Sequence, residues 1–391
     1  MRLAPASAMD YRELARRRLP RQLFDYIDGG AYEERTMAAN MADLGELRLR
    51  QRVLRDVSRL DLRCRVLGET LELPIILAPV GLAGMFARRA EVQAARAAER
   101  CGVRFCGSTV SICSIDEVAG ATQVPPWFQL YIMRDRDYAA ELMARAHQAG
   151  CPTLVMTVDF AVVGARYRDT RNGMIGELSP GALLRRGWDI AAHPAWIWNV
   201  AIRGRPLTFG NLERAVPGAR SPTDFRRWVD AQFDASVTWA DLAWVREHWP
   251  GKLVLKGILD VEDAQRAADI GVDGIVVSNH GGRQLDSVAS TVRALPVIAS
   301  RVGDRLDVLV DGGIRSGLDV VKMLSLGARA CLIGRAWAYA VAARGERGVA
   351  HVLHVLREEM KVAMALTGHN SLSELDMETL ESAASATKRL P

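Results

Sequence analysis

Short apolar, β-branched runs recur along the chain, and most are followed by a stretch whose apolar positions return every three or four residues. The runs are Leu73 to Val80, Arg104 to Val110, Trp127 to Ile132, Thr153 to Asp159, Leu253 to Ile258, Gly274 to His280, Asp307 to Gly312 and Ala330 to Gly334. Such a run reads as a strand buried on both faces, and the helical period after it as the helix that covers the strand. The helical stretches include Arg89 to Arg100, Asp137 to Ala149, Val261 to Ile270 and Gly317 to Leu326, with Gly102, Gly150, Gly271 and Gly327 placed to end them. Eight strands alternating with helices predict an α/β chain closed as a (β/α)8 TIM barrel. A doubly wound open sheet shares the alternation, but no Gly-x-Gly-x-x-Gly follows the first run, so the barrel is preferred.

Two parts stand outside the repeat of what reads as a single domain, 1–391. Residues 1–70 carry a helical entry, Tyr11 to Ile27, which ends at Gly29-Gly30 and is expected to plug or flank the barrel. Between the fourth and fifth runs lie residues 160–250, several times the usual strand-to-helix connection. This insertion holds seven of the nine tryptophans: Trp188, Trp196, Trp198, Trp228, Trp239, Trp244 and Trp249. Leu183 to Pro206 mixes Trp with Arg185, Arg186, Arg203 and Arg205, a composition suited to a lipid headgroup interface. A lid or subunit contact with buried tryptophans fits the same composition, and both readings stay open. Thr238 to Trp249 reads as an ordinary amphipathic barrel helix.

Composition narrows the class. The 391 residues are 49% hydrophobic and 25% charged, as in a globular protein, and the net charge of +5 is a mild excess that favours anionic ligands or an anionic membrane surface. No basic run is dense enough to suggest nucleic acid. The six cysteines form no C-x-x-C pair and no Cys/His spacing typical of zinc, so no metal is expected. The N-terminus lacks an apolar signal core, and no stretch reaches the ~18–20 apolar residues of a spanning helix. A periplasmic or integral-membrane protein is therefore disfavoured.

The chemistry lies at the strand ends, which meet at one mouth of a barrel. The sixth run closes with Ser278-Asn279-His280-Gly281-Gly282-Arg283-Gln284-Leu285-Asp286, a base and a guanidinium three residues apart. Alone, the pair could be ordinary polar residues at a strand exit. The other ends add Gln129 and Tyr131, Thr157 and Asp159, Lys256, Asp311-Gly312-Gly313-Ile314-Arg315 and Gly334-Arg335. The last two belong to the seventh and eighth connections, where barrels commonly hold a phosphate on glycine N–H groups and a helix start. A phosphorylated cofactor is the expected occupant.

Together these residues resemble the FMN-dependent α-hydroxy acid dehydrogenase and oxidase family, whose signature is Ser-Asn-His-Gly-Gly-Arg-Gln-Leu-Asp. The resemblance runs from Asp25-Tyr26 to Gly334-Arg335. It is nearest to the bacterial respiratory L-lactate dehydrogenase branch through Asp28-Gly29-Gly30-Ala31-Tyr32, Ala78-Pro79-Val80-Gly81-Leu82, Trp127-Phe128-Gln129-Leu130-Tyr131 and Gly164-Ala165-Arg166-Tyr167-Arg168-Asp169. The resemblance implies that Ser108, Gln129, Thr157 and Lys256 contact the flavin ring, that Asp311 binds the ribityl chain, and that Gly313, Arg315, Gly334 and Arg335 hold the phosphate. Ala78, Pro79 and Ser278 complete the cofactor set. It further implies that Tyr26, Tyr131, Arg166 and Arg283 hold the substrate, that His280 is the base, and that Asp159 orients it. Arg168 is a substitute for Arg166 in that clamp. His280 takes either the carbon-bound or the hydroxyl proton, and the sequence leaves the choice open.

The implied activity is oxidation of an L-2-hydroxy acid, L-lactate to pyruvate, with a membrane quinone as acceptor. The implied setting is peripheral, at the cytoplasmic face of the inner membrane, in a homo-oligomer that family precedent makes a tetramer. Two departures keep alternatives in view. Phe160-Ala161-Val162-Val163 replaces a Pro-containing segment of the lactate enzymes and resembles the mandelate dehydrogenase branch. Gly81 stands where many oxygen-using oxidases carry Ala, which favours a dehydrogenase.

Overall fold

Eight of the apolar runs pair edge to edge and close on themselves. The structure, a computed structural model, describes residues 5–174, 179–216 and 231–381. Among them an antiparallel hairpin, β1 (Cys64–Val66) and β2 (Glu69–Leu71), precedes the parallel strands β3 (Ile75–Leu77), β4 (Arg104–Ser108), β5 (Trp127–Leu130), β6 (Thr153–Thr157), β7 (Lys252–Ile258), β8 (Gly274–Val277), β9 (Asp307–Val310) and β10 (Ala330–Ile333). The barrel closes where β10 pairs with β3. Register sets Ser108 beside Gln129 and Thr157 beside Lys256, so polar residues gather at the carboxyl ends. The predicted glycines follow their helices in the left-handed region, Gly271 at φ +82 as the cap itself.

The N-terminal extension differs from the single entry helix expected over Tyr11 to Ile27. Two helices form, Ala8–Arg18 and Arg21–Asp28, because Pro20 lacks the N–H that a continuous helix needs and suits a helix start. These helices flank the barrel: Tyr11 Oη lies 3.0 Å from His351 Nδ1 on the long Arg335–Thr367 helix, whose extent the sequence pattern did not reveal. The plug is the hairpin. Its Val66, Leu67 and Leu71 join the interior cluster with Ile76, Val155, Val254 and Leu309, and Glu69 pairs with Arg104 at the start of β4.

Inside the insertion, helices run over Pro180–Ala191 and Pro194–Trp196, continuing through Ile197–Ile202, and Asp241–His248 forms where a barrel helix was expected. The tryptophans divide. Trp249 is fully buried and Trp196 donates its Nε1–H to Met85 O at 2.8 Å, whereas Trp188 and Trp198 are exposed. Trp228 lies outside the described residues.

One buried carboxylate ties the extension to the barrel. Asp28 accepts from Arg12 Nε (2.6 Å) and Nη2 (2.8 Å), from Arg168 Nη1 (2.9 Å) and from Tyr339 Oη (2.7 Å). Burial alone would raise its pKa, but these donors outweigh it and hold the carboxyl at about 2. A native pKa below the unfolded value adds stability above pH ~4, about 2.5 kcal/mol here, which is lost as pH falls towards 2. Replacing Asp28 takes the shared carboxylate from Arg12 and Arg168, which keep Glu13 and Glu34, so the cost is that of the lost charged hydrogen bonds, about 1.5–3 kcal/mol. Asp28→Ala is therefore expected to lower the unfolding free energy measured by urea titration at pH 7 by an amount of that order and to flatten the acid limb of the stability curve between pH 4 and 2.

Candidate active site

A cavity of about 1110 Å³ opens at the carboxyl ends of the strands. Of the residues expected from sequence, Tyr26, Ala78, Pro79, Gln129, Tyr131, Thr157, Arg166, Lys256, His280, Arg283, Asp311, Gly313, Arg315, Gly334 and Arg335 all line it. Asp159, Ser108 and Ser278 stand one layer back, each bonded to a residue that does line it. The two serine hydroxyls are committed to Gln129 and Lys256 and do not form the cavity wall.

His280 follows β8 with φ +57, a conformation that L side chains rarely adopt. Its N–H donates to Ser278 Oγ at 3.0 Å, and Nδ1 meets Asp159 Oδ1 at 2.9 Å, which leaves Nε2 for the cavity. Two residues place Asp159. Gln284 Nε2 donates to Asp159 O (2.8 Å) and Val162 O (2.9 Å), fixing the loop after β6. Gly257, at φ +115 in a bulge of β7, leaves the space in which an added Cβ would lie 2.6 Å from the Asp159 side chain. Neither residue was singled out from sequence, although a glycine inside a strand run signals such a bulge.

Burial is the strongest influence on His280 and favours the neutral ring. Asp159 opposes it, the charges of Lys256 and Arg166 reinforce it, and the pKa lies below 6.5. Burial likewise disfavours the Lys256 ammonium, but Asp311 and Asp159 outweigh it and raise its pKa. Lys256 Nζ sits 3.0 Å from both Asp311 Oδ2 and Ser278 Oγ. Asp159, though buried, is held ionised by the charges around it.

At the other end two guanidiniums flank Tyr26, with Arg283 Cζ 4.9 Å and Arg166 Cζ 5.9 Å from its ring centre. Arg283 Nη1 donates to Tyr26 O and Gly29 O, each at 2.7 Å. Arg166 Nε is buried with no hydrogen-bond partner among the described residues. Arg168 turns away to Asp28 and Glu34, so it is not an alternative anchor.

The remaining wall has the features of a nucleotide cradle. Gln129 Oε1 accepts from Ser108, leaving Nε2 buried and unpartnered, and Asp311 Oδ1 is in the same condition. These are a donor suited to a flavin carbonyl and an acceptor suited to a ribityl hydroxyl. Gly313, at φ +81, offers bare backbone where a Cβ would meet Asn40 O at 2.5 Å. Burial pushes the Arg335 pKa down to about 9, and the nearby charges of Arg283 and Arg315 work in the same direction. An anion among these cations would relieve the strain, and the phosphate of FMN fits.

A parallel barrel whose mouth joins a carboxylate-backed imidazole, a guanidinium pair and a glycine- and arginine-lined wall that fits a phosphate is the arrangement of a cofactor-dependent oxidoreductase. The chain belongs to the FMN-dependent dehydrogenase family, whose profile matches residues 15–382. It is 58% identical over 371 residues to an L-lactate dehydrogenase of Caulobacter vibrioides, covering 95% of this chain and 96% of that protein. An L-lactate dehydrogenase of Acinetobacter baumannii is 53% identical over 375 residues, covering 96% of this chain and 97% of the other. Among solved structures, a monotopic membrane (S)-mandelate dehydrogenase superposes with a TM-score of 0.91 at 36% identity, covering 97% of this chain and all of that one. A soluble mutant of the membrane-associated (S)-mandelate dehydrogenase from Pseudomonas putida gives 0.82 at 35% identity, covering 97% and 99%.

The His280–Asp159 geometry makes a titration prediction for the free protein. The His280 ring is expected to take up its proton below pH 6.5 in an NMR titration, with His280→Gln assigning the resonance. Asp159→Asn removes the influence that raises the pKa, so the midpoint should fall further. A midpoint that rises would show that Asp159 does not stabilise the protonated ring.

Proposed function

We propose that this protein oxidises a small L-2-hydroxy acid, L-lactate to pyruvate, with FMN as cofactor and a membrane quinone as acceptor. The observation that carries the reading is that the His280–Asp159 pair and the Arg166/Arg283 pair share one cavity with the Lys256–Asp311 pair and the phosphate cradle. A 2-hydroxy acid places its carboxylate between Arg166 and Arg283, where the unpartnered Arg166 Nε gains a charge-assisted hydrogen bond and Tyr26 a neighbouring anion. The fixed carboxylate holds the hydroxyl carbon near His280. Nε2 of the neutral imidazole accepts a substrate proton, and Asp159 stabilises the imidazolium through Nδ1–H. FMN, when bound, supplies the electron-pair acceptor. Lys256 keeps a positive charge at that end of the cavity, where negative charge develops during reduction.

The named relatives at 53–58% identity support lactate. Phe160, Tyr131 and Phe233 pack together with ring centres 4.5–5.8 Å apart, and Phe160 lies 5.7 Å from His280, an aromatic wall against which a methyl or a phenyl side chain can pack. Mandelate is the second reading, favoured by the same apolar wall and by the likeness to (S)-mandelate dehydrogenase. Gly81 stands where many oxygen-using oxidases carry Ala, and here an added Cβ would lie 2.7 Å from Val110 Cγ2 and 3.4 Å from Tyr26 Oη, so this chain's packing suits the glycine of the dehydrogenase reading.

Exposed apolar side chains in the insertion support peripheral attachment to a membrane. Trp188 is 71% exposed, Leu184 66% and Trp198 55%, the last with Arg203 5.6 Å over its ring. Among the described residues no helix is long and apolar enough to cross a membrane.

Anaerobic addition of L-lactate is expected to bleach the yellow protein, with kcat/KM for L-lactate above that for L-mandelate; the reverse order would establish the second reading. His280→Gln should slow flavin reduction by about 10²–10⁴-fold. Arg166→Met should lower kcat/KM roughly 30-fold, the worth of a charged hydrogen bond of about 2 kcal/mol. Separately, the combined variant Leu184→Gln, Trp188→Gln, Trp198→Gln is expected to leave anionic vesicles in a flotation assay while keeping its turnover with a soluble dye. Continued flotation would remove the insertion from the membrane contact.

A further inference from the structure

The cavity, about 1110 Å³, is lined by the flavin-side residues and also by an apolar set, Leu23, Leu82, Met85, Met174 and Phe209. Two further lining residues, Leu183 and Arg186, come from the Pro180–Ala191 helix of the insertion. Leu183 is 55% exposed, so one side chain belongs both to the cavity and to the outer apolar surface that includes Leu184 and Trp188. Three residues apart, Leu183 and Arg186 share a helix face. The helix is fixed at this place from two directions. Asp189 Oδ2 accepts from Arg21 N at 2.8 Å at the start of the Arg21–Asp28 helix, and Trp196, beyond the helix end, bonds Met85 O.

We propose that Leu183 and Arg186 frame a lipid-side entrance through which a quinone passes from the bilayer into this apolar vestibule, with Arg186 donating to a quinone carbonyl. The inference rests on the quinone reading given above and adds its route and its binding residues. A quinone balances the reaction and also suits an apolar wall next to an exposed apolar surface. Each hydroxy acid oxidised loses two electrons and two protons, and a quinone takes up the same two electrons and two protons to become a quinol. A lipid-dissolved ring reaching the cavity beside Leu183 avoids crossing water, and the apolar wall accepts the ring while Arg186 meets its polar edge.

The test compares Leu183→Trp, which narrows the entrance and preserves an interface-loving surface, with Leu184→Trp, a change on the same helix outside the cavity wall. In vesicles containing a long-chain quinone, Leu183→Trp is expected to reduce quinone turnover at least tenfold, Arg186→Gln to raise the apparent KM for quinone, and Leu184→Trp to change neither. Substrate-driven flavin bleaching and turnover with a soluble dye should stay within twofold in all three. An azidoquinone added to the vesicle-bound protein should label the peptide containing Pro180–Ala191, with unlabelled quinone competing. Unchanged quinone turnover in Leu183→Trp, or labelling elsewhere, overturns the entrance. Failure of the unmodified protein to reduce any quinone, with dye turnover intact, overturns the acceptor reading instead.

Discussion

A line of buried polar contacts crosses the barrel mouth from Asp311 through Lys256 and Ser278 to His280 and Asp159, and the site depends on its being complete. A lone ammonium at the depth of Lys256 would cost several kcal/mol. Two carboxylates make it tolerable, Asp311 from β9's end in direct contact and Asp159 from β6's end at longer range. The same Ser278 hydroxyl that accepts from Lys256 accepts from the backbone of His280, so the lysine's position and the imidazole's unusual backbone are set by one oxygen. Four strands, β6 to β9, thereby share one electrostatic unit. Its consequence is chemical: Lys256 helps to keep His280 neutral while Asp159 remains ready to receive the proton's charge.

The barrel and most of this unit were legible in the sequence because they rest on local signals. Buried parallel strands are short apolar runs, and their polar ends fall into register once closure is assumed. The nine residues from Ser278 to Asp286 carried the chemistry, yet only His280 and Arg283 could be given roles from residue type alone. The structure shows why the others are there. Asn279 pairs with Asn40 through both amides at 2.8 Å, Gln284 clamps the loop after β6, and Asp286 accepts from the backbone of Arg35 and Thr36. Each reaches a segment more than a hundred residues away. Such contacts leave no periodicity, so the sequence could indicate a motif but not its joints. The hairpin plug and the break at Pro20 were missed for a related reason: three-residue strands and a proline between two helical turns fall below the length at which patterning speaks.

The insertion shows composition succeeding only in part. Seven tryptophans suggested either an interfacial segment or a buried lid, and the described ones differ in burial. Trp249 is core and Trp196 is a hydrogen-bonded peg, while Trp188 and Trp198 face outwards with Leu184 and Ile202. Burial, which composition does not encode, separates the two groups. The peg also explains how an exposed apolar helix keeps a defined place: Trp196 anchors its far end to Met85, beside the cavity.

The clearest coupling between fold and site is at the end of the Arg21–Asp28 helix. A helix C-terminus leaves carbonyls without intrahelical donors and carries partial negative charge. Here those groups meet the cations of the site: Arg283 takes Tyr26 O and Gly29 O, and Arg335 takes Ile27 O, Gly29 O and Gly281 O. The flanking extension is thus docked by guanidiniums that line the cavity, and Tyr26, whose carbonyl one of them holds, lines it too. Substituting Arg283 therefore alters two things together, the charge offered to a carboxylate and the position of Tyr26. Arg166, which holds no such carbonyl and keeps an unpartnered Nε, separates them. Substituting Arg166, which faces Asp169 at 4.0 Å, leaves that helix end capped, whereas substituting Arg283 includes the cost of a helix end released from its cap.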